Sequence, residues 1–199
     1  MGRELGRLAG LPVDFVRFEK AGLLADAVSD DAWDVAFLGA EPQRADKIAF
    51  SAAYLEIPVT FLVPPGSPIR EVAEVDREGV RIAVADKSAY DLFLTRSMQH
   101  AKLLRVPGIP ESYQLFEREK LEALSGLKPQ LVADAERMPG SRILEGQVTA
   151  VQQAAGVPRA RSHAAAFLKA VIEELKSSGF VERTIRKHGV RGVTVAPPG

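Results

Sequence analysis

The sequence predicts an α/β protein built as two lobes joined by a two-stranded hinge. Three observations carry this expectation. Short β-rich apolar runs alternate with segments of helical periodicity, the pattern of βαβ units and a mostly parallel sheet. A Pro-Pro-Gly-Ser-Pro run at 64–68 is the strongest break in the chain, and the strand–helix rhythm restarts after it. Two long extended stretches, near 57–63 and 143–153, bracket the middle of the chain, as two strands entering and leaving one lobe would. The expected division is therefore 1–63 as the first part of lobe 1, 64–147 as an inserted lobe 2, and 148–199 as the completion of lobe 1 with C-terminal helices.

The elements follow in order. Leu5, Leu8 and Ala9 share one helical face and Gly10 sits where a helix C-terminal glycine belongs, so the chain opens in a short amphipathic helix. Pro12 to Phe18 alternates apolar and polar residues, which predicts a strand. Ala21 to Val28 predicts a short helix and Ser29 to Asp31 a turn. The run Asp34 to Leu38 predicts a buried strand. A polar segment, Glu41 to Lys47, leads to Ile48 and Phe50, a turn before Tyr54, and a strand at Ile57 to Val63. After the proline break come a strand at Val80–Val84, a helix at Ser88–Arg96, a strand at Lys102–Val106, a helix at Glu111–Glu117, a strand at Leu121–Leu124 and a helix at Leu131–Glu136. Ala164, Phe167, Leu168, Val171, Ile172 and Leu175 trace one stripe of an amphipathic helix that Gly179 ends. Val181 to His188 makes a further helix, and the Pro-Gly-rich tail from Gly192 is extended.

Composition excludes several function classes. The 199 residues carry 26 Lys+Arg and 26 Asp+Glu, so the net charge is zero and no global basic surface faces nucleic acid or anionic lipid. No run approaches the ~18 unbroken apolar residues of a membrane span. With no Cys there is no disulfide framework, thiolate nucleophile or Cys-based metal site. His100, His163 and His188 lack metal-ligand spacing. No GxSxG, GxxxxGK or GxGxxG motif occurs, and no cofactor is expected. Acidic pairs such as Asp30–Asp31 and Glu173–Glu174 lie in a turn and on a polar helix face, where solvation explains them better than acid–base chemistry. One segment stands out. Arg44 follows the C-terminal end of a predicted strand, where open α/β sheets bind ligands, and a guanidinium fork matches a carboxylate.

Asp34-Val-Ala-Phe-Leu38, Arg44, Ile48-Ala-Phe50-Ser51 and Tyr54 resemble the bacterial extracellular solute-binding proteins of family 3, whose pattern is a D-x-x-x strand, T-x-x-R, then I-x-F-S/T-x-x-Y. The resemblance continues through Gly79 to Asp91, similar to that family's G-x-x-V-x-V-x-x-G-S/T strand and helix start. Leu121 to Leu124 resembles its D-A strand, and Gly179-Phe180 a terminal helix motif. It implies a periplasmic binding protein-like II fold and the substrate-binding part of an ABC-type importer, with a permease partner. The ligand would be a small carboxylate-bearing, amino-acid-like solute held between the lobes. By position, Arg44 would clamp a ligand carboxylate, and Ser88 and Ala89 would support it at a helix N-terminus. Leu38, Gly39 and Tyr54, with Trp33 and Phe37, would line or flank the site, although core packing explains Trp33 and Phe37 better.

The departures matter as much. Glu41 stands where the family has Thr, and Lys87 stands where it has Gly, adding a cation at the mouth. The family's ammonium-binding Asp aligns with Leu127, so an ordinary α-amino acid is in doubt unless Glu41 substitutes. The family's lobe 1 normally begins with a strand ahead of the first helix. This chain begins at that helix, so the resemblance implies a truncated lobe 1 without a signal peptide: periplasmic by family, cytoplasmic if this start is real. Open strand edges would then be met by dimerisation, by segment exchange, or by the tail around Val193–Val195 acting as a strand. Two alternatives accompany this reading. One is a cyclohexadienyl dehydratase-like enzyme with Glu41 or Lys87 in acid–base roles; the other is a degenerate, non-transporting orphan.

Overall fold

The computed structural model describes all 199 residues. The chain divides into two compact units, Met1–Glu56 with Gln152–Gly199, and Ile57–Val151. Both boundaries fall inside strands, so the chain crosses between units twice in extended conformation.

The first unit holds helix α1 (Gly2–Ala9), α2 (Ala21–Asp26), strand β1 (Ala36–Gly39), α3 (Pro42–Ala45), the first part of β2 (Ile48–Val63), the last part of β7 (Thr149–Pro158), α7 (His163–Ser177), α8 (Phe180–Lys187) and β8 (Thr194–Val195). β1 pairs antiparallel with β7, Leu38 opposite Ala154. β7 in turn pairs with β2. Alternate residues of β1 face opposite sides, as the pleat dictates. Phe37 packs against α1, α7 and α8 with Leu5, Leu168, Ile172, Leu175 and Val181. Ala36 and Leu38 join Val28, Trp33 and Ile48 on the other face. Gly10, at φ 67°, ends α1 in the left-handed conformation that glycine adopts at no steric cost.

The second unit holds the rest of β2, β3 (Arg81–Ala85), α4 (Ala89–Ser97), β4 (Lys102–Val106), α5 (Ile109–Arg118), β5 (Ala123–Leu127), α6 (Lys128–Arg137), β6 (Arg142–Ile143) and the start of β7. β3 lies between β4 and β5, parallel to both, and β5 runs antiparallel to β2. The sheet is buried on both faces, so its strands read as continuous apolar runs. Ile82 and Val84 pack with Phe61, Tyr90 and Leu94 of α4 on one side. Ala83 and Leu62 pack with Tyr113, Phe116 and Leu131 of α5 and α6 on the other.

Three expectations are corrected or sharpened. Pro12–Phe18 is not a strand: no strand lies beside it, its backbone enters none of the backbone–backbone hydrogen bonds, and Leu11, Val13, Phe15 and Val16 are exposed. Alternation encodes a strand only where an edge is present to accept the ladder. The turn expected before Tyr54 is absent, because β2 runs unbroken for 16 residues; it pairs with β7, and Ser51 Oγ accepts the Ala155 N–H. The tail does form a short strand, Val195 opposite Leu55 and Thr194 opposite Glu56.

Candidate functional site

In the first unit, Leu38, Gly39, Glu41 and Arg44 gather where β1 ends and α3 begins. Glu41 takes the N-cap position of α3, with Pro42 in its first turn. This single helical turn swings Arg44 back toward the strand it follows. Arg44 is 6% exposed, and its Nη1 donates to the Gly39 carbonyl at 2.8 Å. Burial pulls the guanidinium pKa down, while the carboxylates of Glu41 and Asp26 oppose that shift. The bond to the Gly39 carbonyl orients the guanidinium fork.

Leu38 and Tyr54 are placed differently from a cleft lining. Leu38 is 2% exposed among Val28, Trp33 and Ile48. Tyr54 sits in the cluster under α7, its ring meeting Phe37 edge-on at 6.0 Å between centroids, and burial pushes its phenol up to about 12. Trp33 is buried too, and its indole N–H donates to the Leu24 carbonyl at 3.0 Å.

In the second unit, Lys87, Ser88 and Ala89 form the turn from β3 into α4. Lys87 adopts φ 55°, the left-handed region that favours glycine. Ser88 caps α4: its Oγ accepts the Asp91 N–H at 3.0 Å, and the Asp91 carboxylate accepts the Lys87 N–H at 2.9 Å. Asp91 is 3% exposed and also accepts from Arg105 Nε at 3.0 Å. A buried carboxylate paired in this way locks the turn, and the leading N–H groups of Ala89 and Tyr90 remain unused by the helix itself. Such a nine-residue helix start suits a carboxylate. Asp91 and Arg105 were not among the expected site residues. The Ser-x-x-Asp spacing at 88–91 is the signal that would have found Asp91; nothing local marks Arg105, which arrives from β4.

At Leu127 no acidic side chain stands, and Ser125, Gly126 and Leu127 close β5 directly into α6. No group of three or more His, Cys, Asp or Glu side chains lies together as a metal ligand set. No helix is long and apolar enough to cross a membrane.

Residues 1–191 match the profile of the bacterial extracellular solute-binding proteins, family 3. The chain belongs to that family. Solved structures agree on the fold. A solute receptor for L-cysteine from Neisseria gonorrhoeae superimposes with a TM-score of 0.76 at 22% identity, over 92% of this chain and 76% of that one. A binding component of an ABC transporter from Wolinella succinogenes, complexed with lysine, gives 0.77 at 15% identity over 93% and 82%. An ancestral amino acid-binding protein, a precursor of cyclohexadienyl dehydratase, gives 0.75 at 16% over 94% and 82%. No curated protein sequence matches the chain. Family 3 membership and these neighbours support a substrate-binding role on a mixed α/β, periplasmic binding protein type II fold. Proteins of this family are typically extracellular or periplasmic.

Proposed function

We propose that this family 3 protein binds a small carboxylate-bearing polar solute, amino-acid-like, for an ABC-type importer, and does not transform it. The observation that carries the reading is the start of α4. There Ala89 and Tyr90 present backbone N–H groups on a turn capped by Ser88 and braced by Asp91 and Arg105. Arg44 supplies a desolvated guanidinium in the first unit, where a carboxylate contact is stronger than in water. In this reading Glu41 and Lys87 modulate ligand charge, Gly39 orients Arg44 through its carbonyl, and Leu38 and Tyr54 act from the core of the first unit.

Calorimetric titration against a library of amino acids and their deaminated carboxylates tests this. A carboxylate-bearing compound is expected to bind, with affinity reduced about 10- to 100-fold in Arg44→Ala and in Ser88→Ala. Unchanged affinity in either variant removes that residue from the site. Absence of binding across the library by the wild-type protein favours the non-transporting reading, and turnover of a prephenate-like substrate favours the enzyme.

A further inference from the structure

The turn that leads into α4 carries a charge that its own capping residues do not balance. Asp91 stands in the first turn of the helix and is buried. Its carboxylate completes the turn, because Oδ2 accepts the Lys87 N–H at 2.9 Å. The same negative charge sits at the positive end of the helix and opposes an anion at the neighbouring N–H groups of Ala89 and Tyr90. A helix start built from Ser88 and Asp91 alone would be well capped and a poor host for a carboxylate.

Arg105 answers this from a neighbouring strand. β4 holds it opposite Val84, and the Asp86 N–H donates to the Val106 carbonyl at 2.8 Å, so the residue is fixed beside the end of β3. Its Nε donates to Asp91 Oδ1 at 3.0 Å, the carboxylate oxygen that Lys87 does not use. Its Nη2 donates to Thr95 Oγ1 at 2.8 Å, and that hydroxyl donates to the Asp91 carbonyl at 2.7 Å. The guanidinium is thus gripped at two points about one turn apart on α4. Any donor could supply these hydrogen bonds, but only a cation offsets a buried negative charge.

We propose that Arg105 is a positioning residue for carboxylate binding at the start of α4: by neutralising Asp91 it keeps the Ala89 and Tyr90 N–H groups receptive to an anion. The proposal rests on the solute-binding reading above and adds the residue that sets charge selectivity there. It separates two roles of one side chain. As a donor, Arg105 braces the turn. As a cation, it decides whether that turn accepts a negative group.

Titration calorimetry of the full chain reads the two roles apart. The probe is the member of the amino acid and deaminated-carboxylate library that the wild-type protein binds most tightly. Arg105→Gln keeps a donor for Asp91 and removes the charge, whereas Arg105→Lys keeps the charge and loses the fork. Arg105→Gln is expected to bind the probe about 10- to 100-fold more weakly than wild type, and Arg105→Lys at least about fivefold more tightly than Arg105→Gln. Adding Asp91→Asn to Arg105→Gln removes the orphaned charge and is expected to recover about 10-fold in affinity. A turn that is only braced behaves differently: the Gln and Lys variants bind alike, and the double variant binds no better than Arg105→Gln. Either result overturns the proposal and leaves the solute-binding reading standing, because the wild type still binds the probe. A wild-type protein that binds no member of the library overturns that reading and the proposal together. Should Arg105→Gln fail to fold, the double variant, which leaves no buried charge unpaired, is compared with Arg105→Lys; similar affinities support the charge role, and a double variant weaker by more than about 10-fold overturns it.

Discussion

Lys87 shows how one residue carries strain next to a candidate binding group. Its φ of 55° costs a non-glycine residue roughly 1–2 kcal/mol, partly offset by the N–H bond to Asp91. Lys87→Gly is expected to stabilise the protein by up to about 1 kcal/mol in chemical denaturation, the looser unfolded chain limiting the gain. Asp76 makes the opposite kind of contribution. Its carboxylate accepts the backbone N–H groups of Gln99, His100 and Ala101, at 2.8–3.2 Å, and so holds the turn into β4. Burial raises its pKa, but the N–H donors of Ala101, Gln99 and His100 outweigh this and the net shift is downward. Its stabilising effect is therefore present above the ordinary carboxylate pKa and lost as pH falls through the lower folded value. Asp76→Ala is expected to cost about 1–3 kcal/mol at pH 7, with the difference from wild type shrinking below about pH 4.

Among the elements, β7 is tightly constrained at Gly156. A Cβ on Gly156 would lie 2.5 Å from Ile48 Cγ2 and 3.1 Å from Phe50 Cδ1. Ile48 is 1% exposed and its branched carbon has little freedom to retreat. Gly156→Ala is expected to destabilise by about 1–3 kcal/mol in the same denaturation experiment. The tail is held by β8 and by Lys176, whose Nζ donates to the Ala53 carbonyl at 3.0 Å and the Pro197 carbonyl at 2.7 Å. Ala196 donates its N–H to the Tyr54 carbonyl. Removing residues 193–199 is expected to speed amide exchange in β2 around Leu55 and Glu56, read by hydrogen-exchange mass spectrometry, with β3 and β5 unaffected.

At the scale of the molecule, the two units differ in how the chain builds them. The second is one continuous stretch, and both of its hydrophobic clusters lie wholly within Ile57–Val151. The first is assembled from two stretches far apart in sequence, with Leu5 of α1 packed in the same cluster as Leu168 and Val181. A fragment of residues 57–151 is therefore expected to unfold cooperatively by circular dichroism, whereas residues 1–56 alone are expected to show no cooperative transition.

Much of this architecture is written locally. The apolar spacing from Ala164 to Leu175 encodes α7, the glycines at 10 and 179 encode helix ends, and the run at Lys102–Val106 encodes β4 with the same limits the structure shows. The ordered motifs from Asp34 to Asp91 were enough for the family, and the Ser88 turn is legible because capping depends on near neighbours. Pairing is a different matter. Whether β2 continues past Ser51 and whether Tyr54 faces a ligand or the core depend on chain segments more than 100 residues away in β7 and α7. The neighbourhood of Tyr90, Ser112, Ser125 and Asp134, likewise, needs α4, α5, β5 and α6 brought together. The sequence by itself determined most of the elements and the family, because periodicity, caps and turns are short-range. Only the tertiary structure decided which of those elements pair and which polar groups share a pocket, because burial is a property of segments that meet only after folding.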